Sequence, residues 1–288
     1  MRTTVEARLR LAAGDIAAGG SDSPRLDAEV LLGFVLGIDR AALFLRYHDD
    51  LAATDAAAFD ALVARRAGGE PVAYLTGQRE FMALPFAVNA DVLIPRPETE
   101  LLVEWALDWL RARPHATVVD VGTGSGAIAI ALMAHASPAW TGQIIATDIS
   151  RHALAVVSRN RANLIPEERR HRLRLVRGSL LTWSAGQVDL VLANLPYLTP
   201  DQLATNPALA SEPSTALDGG RGGLDLVRAL IADLPRVLAP RGAVGLELDP
   251  AQTETVAAWL TRLFPTARVA TMPDLAGLPR HVVASHAP

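Results

Sequence analysis

The sequence predicts an α/β protein: a doubly wound, mostly parallel sheet of seven strands, preceded by a small helical bundle and a β-hairpin. Three observations carry that reading. From residue 117 onward, short apolar runs alternate with amphipathic helical stretches, the pattern of a parallel sheet covered by helices on both faces. Residues 1–76 show only helical spacing of apolar positions. Between them, Phe81, Leu84, Phe86, Val88, Val92 and Ile94 fall among Gly77, Pro85 and the Asn-Ala-Asp of 89–91, which suggests a hairpin linking two domains. The expected division is a helical domain at 1–76, a hairpin linker at 77–95 and an α/β domain at 96–288. A chain of 288 residues, half of them hydrophobic, is long enough for two domains with real cores.

Composition narrows the function classes. There is no cysteine, so disulfides and thiolate zinc sites are excluded and a reducing compartment fits. The seven histidines show no i, i+4 pairing, so no metal site is expected. All 27 basic residues are arginine and the net charge is −4, which argues against binding duplex DNA by bulk attraction. The N-terminus has no apolar core of a signal peptide, and no apolar run approaches a membrane span. A soluble, cytoplasmic, monomeric protein with no membrane contact and no direct nucleic-acid contact is expected.

In the helical region, Val5, Leu9, Ala12 and Ala13 recur at helical spacing. Pro24 opens a second helix with Ser23 as its cap and Leu26, Val30, Leu31, Phe34 and Val35 as its apolar stripe. A short piece follows at 40–45. Thr54 is placed to cap a fourth helix, which Gly68-Gly69 stops. Nothing here carries a catalytic signature, leaving plain packing and partner recognition as the two readings. Pro95 and Pro97 then fix the entry to a helix bearing Leu101, Leu102, Trp105 and Trp109, with Arg96 held between them. Arg96 is either a positioned functional group or a charge on a stiff turn. Strands are expected at 117–121, 143–147, 172–176, 188–193, 243–248, 268–272 and 281–285. The helices between them fall at 126–135, 151–163 (Ser150 as cap), 224–238 and 251–263. The last two strands are joined too tightly for a helical crossover, so one of them should run antiparallel.

Three stretches carry chemistry. Gly122, Thr123, Gly124, Ser125 and Gly126 follow the first strand of the sheet and lead into a helix; glycines allow backbone to approach a ligand, and a helix N-terminus offers unpaired N–H groups. This is a nucleotide-type cofactor loop, with G-x-G-x-G spacing. Asp148 ends the next strand, about 20 residues on, where a carboxylate accepts hydrogen bonds from ribose hydroxyls; capping the following helix is the alternative, and the glycine loop favours ribose. Ser179 and Leu180 follow the third strand, placed for an adenine edge. Finally Asn194-Leu195-Pro196-Tyr197 ends an apolar strand. Pro196 cannot extend a ladder, so an amide oxygen, the Leu195 carbonyl and an aromatic ring arrive together at a strand's C-terminal end, where open α/β sheets bind ligands.

These pieces resemble the class I S-adenosylmethionine-dependent methyltransferases, whose sheet is Rossmann-like. The tetrad is similar to the N-P-P-Y motif of enzymes that methylate planar nitrogens, with Leu195 in place of the first proline. An amide nitrogen is a poor nucleophile because its lone pair is delocalised. Two acceptors on its N–H bonds, Asn194 Oδ1 and the Leu195 carbonyl, would orient it and stabilise the positive charge that builds as it attacks, while Tyr197 packs on the flat group. Residues 66–77 (RAGGEPVAYLTG), Glu80-Phe81, 93–100 (LIPRPETE), Glu212-Pro213, 216–220 (ALDGG) and 274–280 (DLAGLPR) resemble the HemK/PrmC family of release factor glutamine methyltransferases over nearly the whole chain. That resemblance implies methylation of the side-chain nitrogen (N5) of the glutamine in the Gly-Gly-Gln loop of peptide chain release factors. It implies that 122–126, Asp148, Ser179-Leu180 and Asn194 bind S-adenosyl-L-methionine, and that the N-terminal helices help grip the release factor. Leu180 stands where relatives often carry tryptophan. The alternative is a DNA adenine exocyclic-amine methyltransferase, which shares the tetrad; residues 1–80, with nine arginines against twelve acids, weigh against it.

Overall fold

The computed structural model describes residues 4–286, and the chain forms two compact units that divide between Gln78 and Arg79. The first unit is helical: Val5–Ala18 (α1), Pro24–Leu36 (α2), Arg40–Leu45 (α3), Ala53–Ala67 (α4) and Val72–Thr76 (α5). Leu9, Ile16, Leu31, Leu32, Leu43 and Phe59 make its core. Thr4 caps α1, its hydroxyl accepting from the Ala7 N–H at 3.3 Å. Ser23 sits before Pro24 but makes no capping bond; its hydroxyl donates to Asp27 Oδ1 at 3.1 Å. Thr54 lies inside the first turn of α4, which starts two residues earlier than a Thr54 cap requires.

The buried face of α2 is not the expected stripe. Leu26 and Phe34 are exposed, and Ala28, Leu31 and Leu32 face the core. The stripe rotates because two acids on that side are buried by pairing. Asp27 accepts from Ser21 Oγ at 2.7 Å and Arg66 Nε at 2.8 Å. Glu29 accepts from Arg25 Nε at 2.7 Å, Arg40 Nη2 at 2.8 Å and Tyr47 Oη at 2.9 Å. Partners acquired elsewhere in the fold make a charged position tolerable inside, and hydropathy alone does not register them.

The boundary falls at the first residue of the hairpin Gln78–Phe81 (β1) and Leu84–Ala87 (β2), the rest of which opens the second unit. Its two-residue turn, Met82 and Ala83, has φ of 49° and 57°, the left-handed pair usually given to Asn-Gly. The Met82 N–H donates to Glu100 Oε1 at 2.7 Å, and His135 Nε2 lies 2.9 Å from the Met82 carbonyl. These contacts from neighbouring elements hold a turn that its own residues do not favour. Then follow Glu98–Leu110 (α6), Val118–Val121 (β3), Ala127–His135 (α7), Ile144–Asp148 (β4), Arg151–Leu164 (α8), Glu167–Arg170 (α9), Leu173–Arg177 (β5) and Val188–Ala193 (β6). Pro200–Thr205 (α10), Asp225–Val237 (α11), Leu238–Glu247 (β7), Thr253–Leu263 (α12), Arg268–Pro273 (β8) and Pro279–Ser285 (β9) complete it. Strand β7 begins earlier than expected: Leu238 pairs with Val188, a register shift follows, and Ala243 pairs with Leu190.

The seven-stranded sheet has the order β5-β4-β3-β6-β7-β9-β8. All neighbours are parallel except β9, which runs antiparallel to both β7 and β8. Alternate residues serve opposite faces: Val118, Leu190 and Leu192 pack with α6 and α7, whereas Val119, Val191 and Val244 pack with α11 and α12. Burial on both faces is why these strands read as continuous apolar runs. The chain starts at β3, moves outward through β4 and β5, and returns to β6 on the other side of β3. The crevice beyond β3 and β6 is therefore the switch point where such sheets bind ligands. Among the described residues, no helix is long and apolar enough to cross a membrane.

Candidate functional site

One cavity lies at that switch point. It is lined by Gly122, Thr123, Gly124, Ser125, Asp148, Ser179, Leu180, Asn194, Leu195 and Pro196, so ten positions singled out from the sequence meet there. The loop after β3 is pinned from below: the N–H groups of Gly122 and Thr123 both donate to the Thr147 carbonyl at 2.9 Å. Gly122 has φ +72°, and a Cβ on it would lie 2.9 Å from Leu195 Cδ2. A side chain there would push the loop off the strand that carries the tetrad. Gly126 does not line the cavity. It starts α7 at φ +84°, and a Cβ would meet Ile130 and Val157 at 2.9 Å, so it serves close packing.

Thr123 donates its hydroxyl to Asp120 Oδ2 at 2.6 Å, and the Ala129 N–H donates to the same oxygen at 3.2 Å. Asp120 Oδ1 is buried with no partner among the described residues. Burial pushes this carboxyl up to about 7. At the end of β4, Asp148 accepts from the Gly124 N–H on Oδ2 at 3.0 Å and from the Ser150 N–H on Oδ1 at 2.8 Å. Ser150 itself caps α8, accepting from the Ala153 N–H at 3.2 Å. Asp148 is thus not the cap, and each of its oxygens keeps a lone pair for another donor. Burial, opposed by these N–H groups, raises its pKa above the usual carboxylate value. Ile149, the next residue, lines the same cavity and is 63% exposed. Leu180 holds φ +48° in the turn after β5, and its carbonyl accepts from Trp183 Nε1 at 2.9 Å.

Asn194 follows the last residue of β6 and lies on two adjoining cavities. The second is lined by Asn194, Leu195, Pro196, Tyr197, Leu217, Asp249 and Arg280 among others. Asn194 Nδ2 donates to Thr99 Oγ1 at 3.0 Å, and Thr99 Oγ1 donates to Glu247 Oε2 at 2.6 Å. His281 stands opposite Glu247 across the β7–β9 pair, its Nε2 3.6 Å from Oε2. Glu247 and His281 are both buried. Among the described residues, neither Asn194 Oδ1 nor the Leu195 carbonyl meets a donor. Burial, helped by the nearby Glu247 carboxylate, pushes the Tyr197 phenol up to about 12; it stays neutral.

The tetrad's backbone is braced by the 217–223 segment. Leu198 N–H donates to the Leu217 carbonyl at 3.0 Å, and Gly219 N–H to the Leu198 carbonyl at 2.9 Å. A Cβ on Gly219 would lie 2.7 Å from the Pro196 carbonyl oxygen, and one on Gly223 would lie 2.2 Å from that of Tyr197. Gln252 Nε2 also donates to the Tyr197 carbonyl, at 2.9 Å. Arg96 lines both cavities and pairs with Glu212. Glu212 also accepts from the Ile94 N–H at 3.0 Å, so the turn between the prolines is fastened to the loop that follows α10.

Several contributors escaped the sequence reading. Glu247 and His281 are remote from Asn194 in the chain, and the only signal was an acid ending an apolar strand and a histidine beginning another; Thr99 lies in the 93–100 stretch that carries the resemblance, but no role of its own was read for it. Ile149 was one residue from a predicted position. Asn160, fully buried on α8, accepts from the Ala87 N–H at 2.8 Å and donates to the carbonyls of Ala87 at 3.0 Å and Ser125 at 2.9 Å. A lone asparagine on a helix gives no such hint.

Comparison with known proteins places the chain. The family model described as PrmC N-terminal domain matches residues 7–77, and one described as methyltransferase domain matches 118–210. The release factor glutamine methyltransferase of Moorella thermoacetica is 40% identical over 278 residues, covering 94% of this chain and 96% of the relative. That of Cereibacter sphaeroides is 43% identical over 284 residues, covering 96% of each chain. The crystal structure of the hMettl16 catalytic domain in complex with MAT2A 3'UTR hairpin 1 has the same fold at a TM-score of 0.57, with 17% identity, 77% of this chain and 80% of that one covered. With such identity running through nearly the full length of both partners, in the helical unit as well as the sheet, the protein belongs to the release factor glutamine methyltransferase family.

Proposed function

We propose that this enzyme transfers a methyl group from S-adenosyl-L-methionine to N5 of the glutamine in the Gly-Gly-Gln motif of peptide chain release factors. The single observation that carries the reading is Asn194: its Nδ2 is committed to Thr99, leaving Oδ1 and the neighbouring Leu195 carbonyl as two acceptors where two cavities meet. Two such acceptors suit the two N–H bonds of a planar carboxamide. The family membership supplies the substrate class.

The first cavity suits the cofactor. Gly122 to Ser125 leave backbone room, with Gly126 packed behind them; the two Asp148 oxygens can take a ribose diol, and Ile149 and Leu180 offer apolar surface to a base, with Ser179 at its edge. Bound there, the cofactor supplies an electrophilic methyl carbon that leaves sulfur as it bonds to nitrogen. In this reading Asn194 and Leu195 align the amide lone pair and stabilise the positive charge on nitrogen. Pro196 ends the strand so that both acceptors project. Tyr197, a neutral phenol, packs against the flat group. The amide proton leaves after attack, so no strong base is required.

In the same reading the helices of 1–76 grip the release factor, 77–95 link them to the catalytic domain at 96–288, and the enzyme works as a cytoplasmic monomer. The names of the relatives and the acid excess of residues 1–80 favour glutamine over a DNA adenine amine. Incubation with tritiated cofactor and a release factor tests the proposal. Label should enter the native factor and not one whose Gly-Gly-Gln glutamine is replaced; equal labelling of both, or label in DNA alone, overturns it.

A further inference from the structure

We propose that Thr99 and Glu247 are positioning residues that fix which end of the Asn194 carboxamide faces the substrate. This rests on the tetrad reading above and adds to it two residues from remote elements. The oxygen and nitrogen of a carboxamide are nearly the same size, so shape alone does not choose between them. The wrong choice is costly here. With Nδ2 turned toward the slot, a donor would confront the N–H bonds of the substrate amide.

The network decides the matter by proton counting. Glu247, buried at the end of β7, offers only acceptors as a carboxylate. The Thr99 hydroxyl lies 2.6 Å from Glu247 Oε2 and has one proton to give, so it gives it there. What the hydroxyl has left toward Asn194, 3.0 Å away, is a lone pair. Asn194 must therefore present Nδ2 to Thr99 and Oδ1 to the other side. His281, with Nε2 3.6 Å from the same carboxylate oxygen, is the group behind Glu247. Thr99 is itself held in the first turn of α6 and is almost fully buried, so the hydroxyl has little freedom to choose another partner.

The test is a double-mutant cycle on single-turnover methyl transfer to a release factor, with cofactor affinity measured by calorimetry on every variant. Thr99→Val keeps the shape and removes the hydroxyl, and should slow transfer by about 10- to 100-fold, as expected for losing the alignment of a reacting group. Thr99→Ser restores the hydroxyl and should restore the rate to within about threefold. Thr99 also lines the cofactor cavity, so cofactor affinity should change far less than the rate in either. Because Thr99 acts through Asn194, Thr99→Val should cost less than about twofold when added to Asn194→Ala, the signature of residues that act as one unit. A Thr99→Val enzyme as fast as the native one, a Thr99→Ser enzyme as slow as Thr99→Val, or an equal penalty in both backgrounds overturns the proposal while leaving the tetrad reading in place. A native rate in Asn194→Ala overturns both. Thr99→Ala removes the same hydroxyl and gives the same reading if valine does not fit.

Discussion

Asn160→Leu is the substitution whose cost can be worked most fully from the structure. The side chain is 0% exposed and makes three hydrogen bonds to backbone: one from the Ala87 N–H, one to the Ala87 carbonyl and one to the Ser125 carbonyl. It serves β2 as a surrogate strand and ties the hairpin to the glycine loop at Ser125. Leucine has a similar volume and no polar atoms, so three backbone groups lose their partner with little change in packing. Leaving a buried group unpaired costs about 1–3 kcal/mol. Ala87 is only half-buried, so water recovers part of the loss, and the low end of that range gives about 3 kcal/mol in all. For a unit of some 200 residues, 1 kcal/mol corresponds to roughly 2–4 °C, so Tm should fall by about 6–12 °C. Thermal unfolding followed by circular dichroism reads this directly, and cofactor titration should show weaker binding because Ser125 lines the cavity. A Tm within about 2 °C of the native value would refute the reasoning.

Asp148→Ala should weaken S-adenosyl-L-methionine binding by roughly 1–3 kcal/mol, the cost of removing the partner of a buried hydroxyl pair; calorimetry showing equal affinity removes the ribose assignment. Gly223→Ala forces a Cβ at φ +69° to within 2.2 Å of the Tyr197 carbonyl oxygen. It should lower stability by about 1–3 kcal/mol and impair transfer, whereas Gly222→Ala, with nothing within 4 Å, should do neither. For Asp120, burial raises the folded-state pKa to about 7 from 3.8. The stability it contributes is complete below pH 4 and is lost as pH rises to 7, about three pH units at ~1.4 kcal/mol each. Asp120→Asn should remove that decline, so urea midpoints of variant and native protein diverge between pH 4 and 7 and run parallel above; parallel curves throughout would show that the carboxyl is not held protonated.

The centre of the sheet was legible because its strands are buried on both faces and so carry mostly apolar runs, from Val118 in β3 to Val283 in β9, whereas the edge strands β5 and β8 alternate with exposed positions. That the glycine loop, Asp148 and the tetrad line one cavity was legible because each sits at a strand's end, where a local motif maps onto a fixed place in the topology. What the sequence hid depends on partners distant in the chain. The buried face of α2 is set by ion pairs from Arg66 and Arg40 to acids that hydropathy assigns to solvent. The left-handed Met82-Ala83 turn is set by Glu100 and His135. The Thr99–Glu247 hydrogen bond joins residues 148 positions apart, and Asn160 reaches back 73 positions to Ala87. Neither periodicity nor composition encodes such pairs. The serine cap of α8 was read correctly and that of α2 was not, because Ser23 found a better acceptor in Asp27 than α2 offers it as a donor.

The most direct measurement is single-turnover methylation of a release factor by Asn194→Ala, with cofactor and protein substrate both saturating. If Asn194 Oδ1 and the Leu195 carbonyl hold the glutamine amide, transfer should slow by about 100-fold or more, as for the loss of one preorganised polar contact at a reacting centre, while cofactor binding stays nearly intact. A native transfer rate in that variant would contradict the assignment of the tetrad to the chemistry.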